Sequence, residues 1–401
     1  MDKHIDYSQY SYEDLLSAKA GLDQETYPER AAELDKLISE KRQIAIESTS
    51  SPLVNSSQLR ESDIIFHGKT AEFFGIWIVN ILLTIVTLGI YSAWATVRTN
   101  RYFYSNTEID GHRFSYLANP IQILKGRIIA VILFAVYSIA SAFSPTLLLI
   151  FIVAFIFLTP VMIISAVRFK MRMTSYRNVK FGFKGQYGDA FATFILLPIV
   201  SVFTLYLALP WVLKKIDEFL HNNMTYGQQN FSTELKSSEY YIASIGALIL
   251  GVVVAGLSLF ALGASFSTLS ADAAQASTFS MTTIGIMFGY LVVFLIATSF
   301  YHAHVRNHLF NSTQIEGVAR FTSTVATTKL IGLRLSNFVA LIVTLGFALP
   351  WIHIRTSQFY ADVTQVTILE GIDKVVDGAQ DDTSALGEEV ANVFDVDIAL
   401  G

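Results

Sequence analysis

Six stretches of this chain carry no Asp, Glu, Lys or Arg: 73–97, 128–167, 190–213, 240–271, 273–305 and 335–354. About 20 consecutive apolar residues are needed for a helix to cross the hydrocarbon of a bilayer. The stretch 128–167 is long enough for two crossings, with Pro145 near its middle to turn the chain. The pattern therefore predicts seven hydrophobic helical segments, near 72–94, 127–144, 146–167, 188–213, 240–264, 281–303 and 330–352. A soluble fold would have to hide all six uncharged runs at once.

The flanks differ. Residues 1–60 are polar and predict a small helical hairpin followed by a Ser-rich tether over 48–57. Pro28 opens the second short helix, where its missing N–H costs nothing. No apolar stretch follows the first charges, so no cleavable signal peptide is predicted. Residues 376–401 form an acidic tail. The transmembrane body is assigned to 61–375.

That body contains three copies of one pattern, in units near 64–120, 179–235 and 320–375. Thr87-Leu88, Thr204-Leu205 and Thr344-Leu345 each precede a tryptophan by the same interval: Trp94, Trp211 and Trp351. A cation follows each tryptophan at the same offset: Arg98, Lys215 and Arg355. Tryptophan favours the headgroup level, and a cation one turn on can reach phosphates. These six residues are read as interfacial anchors. Pro210 and Pro350 predict a kink or break beside two of them. A substrate site at broken helices is the competing reading. Two further strings, 106–111 and 312–317, alternate Thr and Ile before a glycine and predict short β-hairpins at the membrane surface.

Polar residues inside the segments are few. Asn80, Thr84 and Thr87 share a helix, and Asn80 and Thr87 share a face two turns apart; Asn337 and Thr344 repeat that spacing. They are candidates for a solute-binding intramembrane face, or for hydrogen-bonded glue between helices. No acid lies deep in a span; Asp189 and Arg334 sit near segment ends. His304 and His308 lie one helical turn apart, a spacing that can bind a metal, with Glu316 the nearest further donor. A polar helix end is the alternative, and no metal or other cofactor is assigned. No phosphate loop, nucleophile elbow or paired carboxylates occur, so an enzyme has no positive support and no catalytic residue is assigned.

Composition sharpens the class more than the activity. Hydrophobic residues make up 52% of the 401 and charged residues 15%, against about 25% charged in soluble domains. Mean hydropathy is +0.47. There is no cysteine, so disulfides and thiolate metal sites are excluded, and a net charge of −5 offers no case for nucleic acid. Lys and Arg cluster in the loops around 98–127, 168–184, 214–236 and 306–334 but are absent from 143–146 and 265–280. The positive-inside rule then leaves segments one, four and seven with both ends in the cytoplasm, as re-entrant hairpins bent at the Thr-Leu turn. Seven full spans with inverted repeats is the other topology. The first is adopted, with both termini cytoplasmic.

The string Phe66-His67-Gly68, Trp77, Asn80, Thr87-Leu88-Gly89-Ile90-Tyr91-Ser92-Ala93-Trp94, Arg98, Arg101-Tyr102, Asn106-Thr107, Gly111, Phe114 and Tyr116 resembles the YjgN family of bacterial inner-membrane proteins. The resemblance covers about 61–401, and Ala93 stands where that pattern usually has proline. It implies a multi-pass inner-membrane location and brings no substrate. The expectation is thus an all-α polytopic membrane bundle with pseudo-repeats and small surface β-hairpins. Its partners would be the lipid bilayer, a small solute and further copies of itself. Two functions stay open: a transporter or channel-like protein for a small solute, and a scaffold or regulator docking partners through 1–60 and the tail.

Overall fold

The computed structural model describes residues 60–267 and 275–375, together with Leu34 and Lys36. The chain divides into two units, Met1–Gln58 and Leu59–Gly401. The expected N-terminal hairpin and acidic tail lie outside the described residues.

The second unit alternates short strands with helical hairpins. Its strands are β1 (Arg60–Phe66), β2 (Thr107–Ile109), β3 (His112–Tyr116), β4 (Thr174–Tyr176), β5 (Val179–Phe183), β6 (Met224–Tyr226), β7 (Gln229–Thr233), β8 (Thr313–Ile315), β9 (Ala319–Ser323) and β10 (Thr364–Ile368). All pair antiparallel, and β10 closes on β1 through Arg60↔Ile368, so the sheet is a closed barrel of ten strands. Closure removes every exposed sheet edge.

Between β1 and β2 lie α1 (Thr70–Val86) and α2 (Ser92–Ser105). Between β3 and β4 lie α3 (Pro120–Phe143) and α4 (Pro145–Arg172). Next come α5 (Tyr187–Phe203) and α6 (Leu209–Asn222), then α7 (Ser237–Ser267) and α8 (Gln275–Asn311), and last α9 (Thr327–Val343) and α10 (Leu349–Asp362). Each hairpin leaves the barrel on one strand and returns on that strand's own partner. The same backbone bond closes each neck: His67, Leu117, Lys184, Glu234 and Thr324 donate to the carbonyls of Asn106, Met173, Asn223, Ser312 and Val363 at 2.8–3.3 Å. Four returning strands begin with a threonine whose hydroxyl donates to a carbonyl in the last helical turn: Thr107 to Phe103, Thr174 to Lys170, Thr313 to Leu309 and Thr364 to Tyr360, at 2.6–2.9 Å. These bonds satisfy carbonyls that a helix end leaves open. Between hairpins the chain turns tightly. Asp110-Gly111 and Arg177-Asn178 both have positive φ at each residue, the geometry that matches strand twist in two-residue turns.

Adjacent hairpins touch all the way round: α2 with α3, α4 with α5, α6 with α7, α8 with α9, and α10 with α1. A ring of helices therefore stands on a ring of strands.

Two expectations are overturned. The chain is not all-α, because the strands close into a barrel instead of forming separate surface hairpins. Their short length, three to seven residues, hides the two-residue period, and each pairs across an intervening hairpin that no local pattern reveals. Nor are there seven equivalent segments. Among the described residues four helices are long and apolar enough to cross a membrane: Pro120–Phe143, Pro145–Arg172, Ser237–Leu257 and Met287–Asn311. Segments 72–94, 188–213 and 330–352 are each two shorter helices. The break lies at the Thr-Leu turn, where Leu88 and Gly89, Leu205 and Tyr206, and Leu345 and Gly346 take positive φ. Proline does not cause it: Pro210 and Pro350 sit at the start of the returning helices, and the first hairpin turns identically with Ala93 in that place.

The threonine of each turn holds it from both sides. Thr87 and Thr344 Oγ1 each donate to a carbonyl four residues back, at 2.7 Å, and accept the N–H four residues ahead, at 2.9 Å. Thr204 Oγ1 donates to the Ser201 carbonyl, three residues back, at 3.0 Å and accepts the Ala208 N–H at 3.2 Å. Replacing Thr344 with valine keeps the shape and removes both bonds. A loss of about 1–2 kcal/mol is expected, read as a lower melting temperature in detergent.

Candidate functional site

The barrel is hollow. Inward positions on five of the longer strands include Ile64, Phe114, Phe181, Phe231 and Phe321, and they form a girdle. Phe231 and Phe321 lie 6.1 Å apart and within 5° of parallel; Phe114 and Phe181 are 6.4 Å apart and 20° from parallel. Period-two alternation puts these rings inside, while their neighbours Arg113, Lys180, Asn230 and Thr322 face outward and are exposed. A barrel of about eight strands is just filled by its side chains or holds one small ligand. Ten strands leave more room, and a cavity of about 450 Å³ remains.

One end of the lumen is sealed. Tyr226 donates its hydroxyl to the Tyr176 carbonyl at 3.0 Å, and Tyr176 to the Ile109 carbonyl at 2.8 Å. Both rings are buried with Ile109, Ile315, Val318 and Ile368 in the main core cluster. After β10 a 3-10 turn, Glu370–Lys374, lies across this end and adds Ile372 to the same cluster. Gly371 N–H donates to the Gly317 carbonyl at 3.1 Å, and Asp373 pairs with Arg177 at 2.6 Å. Burial pushes both tyrosine hydroxyls up to about 12, with Arg177 pulling the other way in each case. The folded chain thus keeps two protons that the unfolded chain releases above an ordinary value of about 10. The stability this contributes is fully present below about pH 10 and is lost as pH rises toward about 12. Tyrosinate absorbance in an alkaline titration should show Tyr176→Phe and Tyr226→Phe each removing a late-titrating group.

The other end opens toward the helices. Met171, His221, Leu309, Phe310 and Tyr360 line it. Among the described lining residues one carries a permanent charge, Arg306, and none is Asp or Glu. Arg306 is 7% exposed. Its guanidinium donates to Thr364 Oγ1 at 2.7 Å and lies 4.0 Å from the Phe310 ring centroid and 4.7 Å from that of Tyr360.

The residues singled out from sequence lie elsewhere. Asn80 donates to Thr99 Oγ1 at 3.4 Å and Asn337 to Thr356 Oγ1 at 3.2 Å, each across its own hairpin. The matching positions in the middle short hairpin are Leu197 and Ile216. Thr87 and Thr344 hold the turns described above, and the Thr84 carbonyl accepts from Gly89 N–H at 2.8 Å. None of the five lines the lumen. Arg355 donates to Ser336 Oγ and Asn337 Oδ1 and rests 4.9 Å from the Trp351 ring. Lys215 pairs with Glu218 at 2.9 Å, while Arg98 is exposed; Trp94 and Trp211 are half-buried. His304 Nε2 donates to Glu239 at 2.8 Å, and His308 Nε2 accepts from the Lys236 N–H at 2.9 Å. Among the described residues no three His, Asp or Glu gather as a metal site. The lumen was missed because it needs barrel closure. Its one sequence signal is a phenylalanine three or four residues after each turn residue: Gly111, Asn178, Gly227 and Gly317.

Comparison with known proteins adds a family. The description "Bacterial protein of unknown function (DUF898)" matches residues 61–393. The inner membrane protein YjgN of Salmonella typhimurium is 26% identical over 360 residues, covering 78% of this chain and 90% of that protein. Its counterparts in Escherichia coli O157:H7 and K12 are each 25% identical over 358 residues with the same coverage. No solved structure matches.

Proposed function

We propose, from the premise that this chain belongs to the DUF898 family of bacterial proteins, that it is an inner-membrane protein that takes a small solute into its barrel lumen and passes it toward the bilayer. One observation carries this reading: a cavity of about 450 Å³, walled by aromatic and aliphatic side chains, at the foot of a closed ring of membrane helices. Binding sites for small molecules are commonly this large and this apolar, with few polar groups.

The topology follows the same logic. The helix ends at the barrel carry Arg101, Lys125, Lys170, Arg172 and Lys329, whereas the turns at 87–90, 143–146, 204–207 and 344–347 carry no Lys or Arg. The positive-inside rule puts the barrel on the cytoplasmic face. All five hairpins leave it and come back, so the chain both enters and leaves the membrane domain on that face. The long helices, such as α4 with 28 residues, reach about 42 Å. The short ones, such as α1 with 17, reach about 26 Å, and their turns end inside the hydrocarbon. Leu88, Leu205 and Leu345 at these turns are 83–94% exposed, which suits acyl chains and not water.

The test uses Ala319, which lines the lumen and is 5% exposed. Ala319→Trp fills the cavity, and 2-naphthalenemethanol serves as a small apolar probe. Purified protein in nanodiscs should bind the probe and the tryptophan variant should lose at least tenfold in affinity. Equal binding by both, or none by the native chain, would sink the lumen as the site.

A further inference from the structure

We infer that the lumen selects an apolar molecule carrying a hydrogen-bond donor, a hydroxyl or N–H on a hydrophobic body, and that His221 recognises that donor. The inference rests on the lumen reading above and names its substrate class. His221 lies in the last turn of α6, lines the open mouth of the cavity and is 9% exposed. Its Nδ1 is 2.8 Å from the Asp217 carbonyl oxygen. A carbonyl only accepts, so Nδ1 carries the proton and the neutral ring keeps a lone pair on Nε2. The Asp217 carboxylate is engaged elsewhere, accepting the Tyr240 hydroxyl at 2.5 Å. Among the described residues no group donates to Nε2. An acceptor buried without a partner costs free energy, and a guest that donates to it recovers that cost.

Much of the remaining wall has the same bias. Thr107, Thr313 and Thr364 each give their hydroxyl proton to a carbonyl in the preceding helical turn. Tyr176 and Tyr226 give theirs to carbonyls of β2 and β4. All five line the lumen. A hydroxyl oxygen whose proton is spent can still accept, so these groups have lone pairs and no proton left for a guest. The Arg306 guanidinium, a donor, is held by Thr364 and by the rings of Phe310 and Tyr360. A guest with an oxygen but no donor leaves Nε2 unpaired, whereas a hydroxyl satisfies it. Sites that pair a polar group reject analogues lacking it more strongly than apolar pockets reject a missing methylene. The hydrophobic body of the guest would meet the phenylalanine girdle, which offers flat aromatic surface.

The experiment compares three probes with one naphthalene body, on the full chain in nanodiscs by calorimetry. It is run at about pH 8, where an imidazole of ordinary pKa, about 6.5, is neutral. 2-Naphthalenemethanol carries a donor. 2-(Methoxymethyl)naphthalene keeps the oxygen without the donor, and 2-ethylnaphthalene replaces the hydroxyl with a methyl of similar size. The native protein should bind the alcohol about fivefold or more tightly than the ether. The ratio of alcohol affinity to ethylnaphthalene affinity should fall by about fivefold or more in His221→Phe. His221→Gln, whose amide oxygen can accept, should keep most of the ratio. Comparing ratios between variants cancels each probe's partition into lipid, as in a double-mutant cycle. Melting curves verify that each variant is folded. If the native chain binds alcohol and ether equally, or if folded His221→Phe keeps the native ratio, the inference is overturned. Should His221→Phe fail to fold, the native comparison of alcohol with ether decides. The lumen reading is judged separately by Ala319→Trp: if native binds the alcohol and ethylnaphthalene and this variant loses both, it stands even when the donor preference fails.

Discussion

Ile368→Asp is expected to unfold the barrel. Ile368 lies on the closing strand, is 1% exposed, and packs with Ile109, Tyr226 and Ile315 in the main core cluster. Its backbone pairs with Arg60 on one side and Ala319 on the other, so it sits where the two ends of the sheet join. A lone buried carboxylate costs about 3–5 kcal/mol, a large part of the total stability of a typical domain. The ten strands share one closed ladder, so losing β10 exposes two edges at once. The readout is resistance to proteolysis in detergent micelles, which should collapse. Thr322→Asp is the control. It lies on neighbouring β9 but faces outward and is exposed, so its effect should stay within about 0.5 kcal/mol.

Gly371→Val should dislodge the turn that covers the sealed end of the lumen. A Cβ at this glycine would lie 2.2 Å from the Gly317 carbonyl oxygen, a backbone atom that cannot swing aside. The turn must move, which breaks the Gly371 to Gly317 hydrogen bond and pulls Ile372 out of the core. Exposing one such side chain costs about 1.5–3 kcal/mol. The barrel itself keeps its ladder, so the chain should stay folded with a lower melting temperature. Probe exchange with the lumen should quicken at least tenfold in stopped-flow fluorescence. Arg177→Gln, which loosens only the ion pair with Asp373, should give a smaller change in the same direction because that pair is partly exposed.

The sequence showed the membrane class clearly because uncharged runs leave few alternatives. It also located the three turns: Thr87-Leu88, Thr204-Leu205 and Thr344-Leu345 stand out by their spacing to tryptophan, and the chain reverses at each. The barrel was illegible for a physical reason. Strands of three residues such as Thr107–Ile109 and Met224–Tyr226 are too short to display alternation. Their partners across each hairpin are set by the neck hydrogen bonds, which no local propensity encodes. The site followed the same fate. Asn80 and Asn337 drew attention because polar groups in an apolar helix are conspicuous, yet each bonds across its own hairpin. Arg306 was overlooked because it sits at the end of an uncharged run, where a cation reads as an ordinary interfacial residue. Its burial comes from Phe310, Tyr360 and Thr364, the last two more than fifty residues away.

The chain has no cysteine, so single-cysteine variants can report where each loop lies without background. Ser144→Cys, Gln228→Cys, Leu88→Cys, Leu205→Cys and Leu345→Cys would be treated in intact cells and in inverted vesicles with a maleimide that does not cross membranes. Hairpins that rise from a cytoplasmic barrel should give three classes. Position 144 labels from outside, position 228 only from the cytoplasmic side, and positions 88, 205 and 345 from neither. Labelling of the three leucine positions from outside in intact cells would mean that the short hairpins cross the membrane, and would contradict the account.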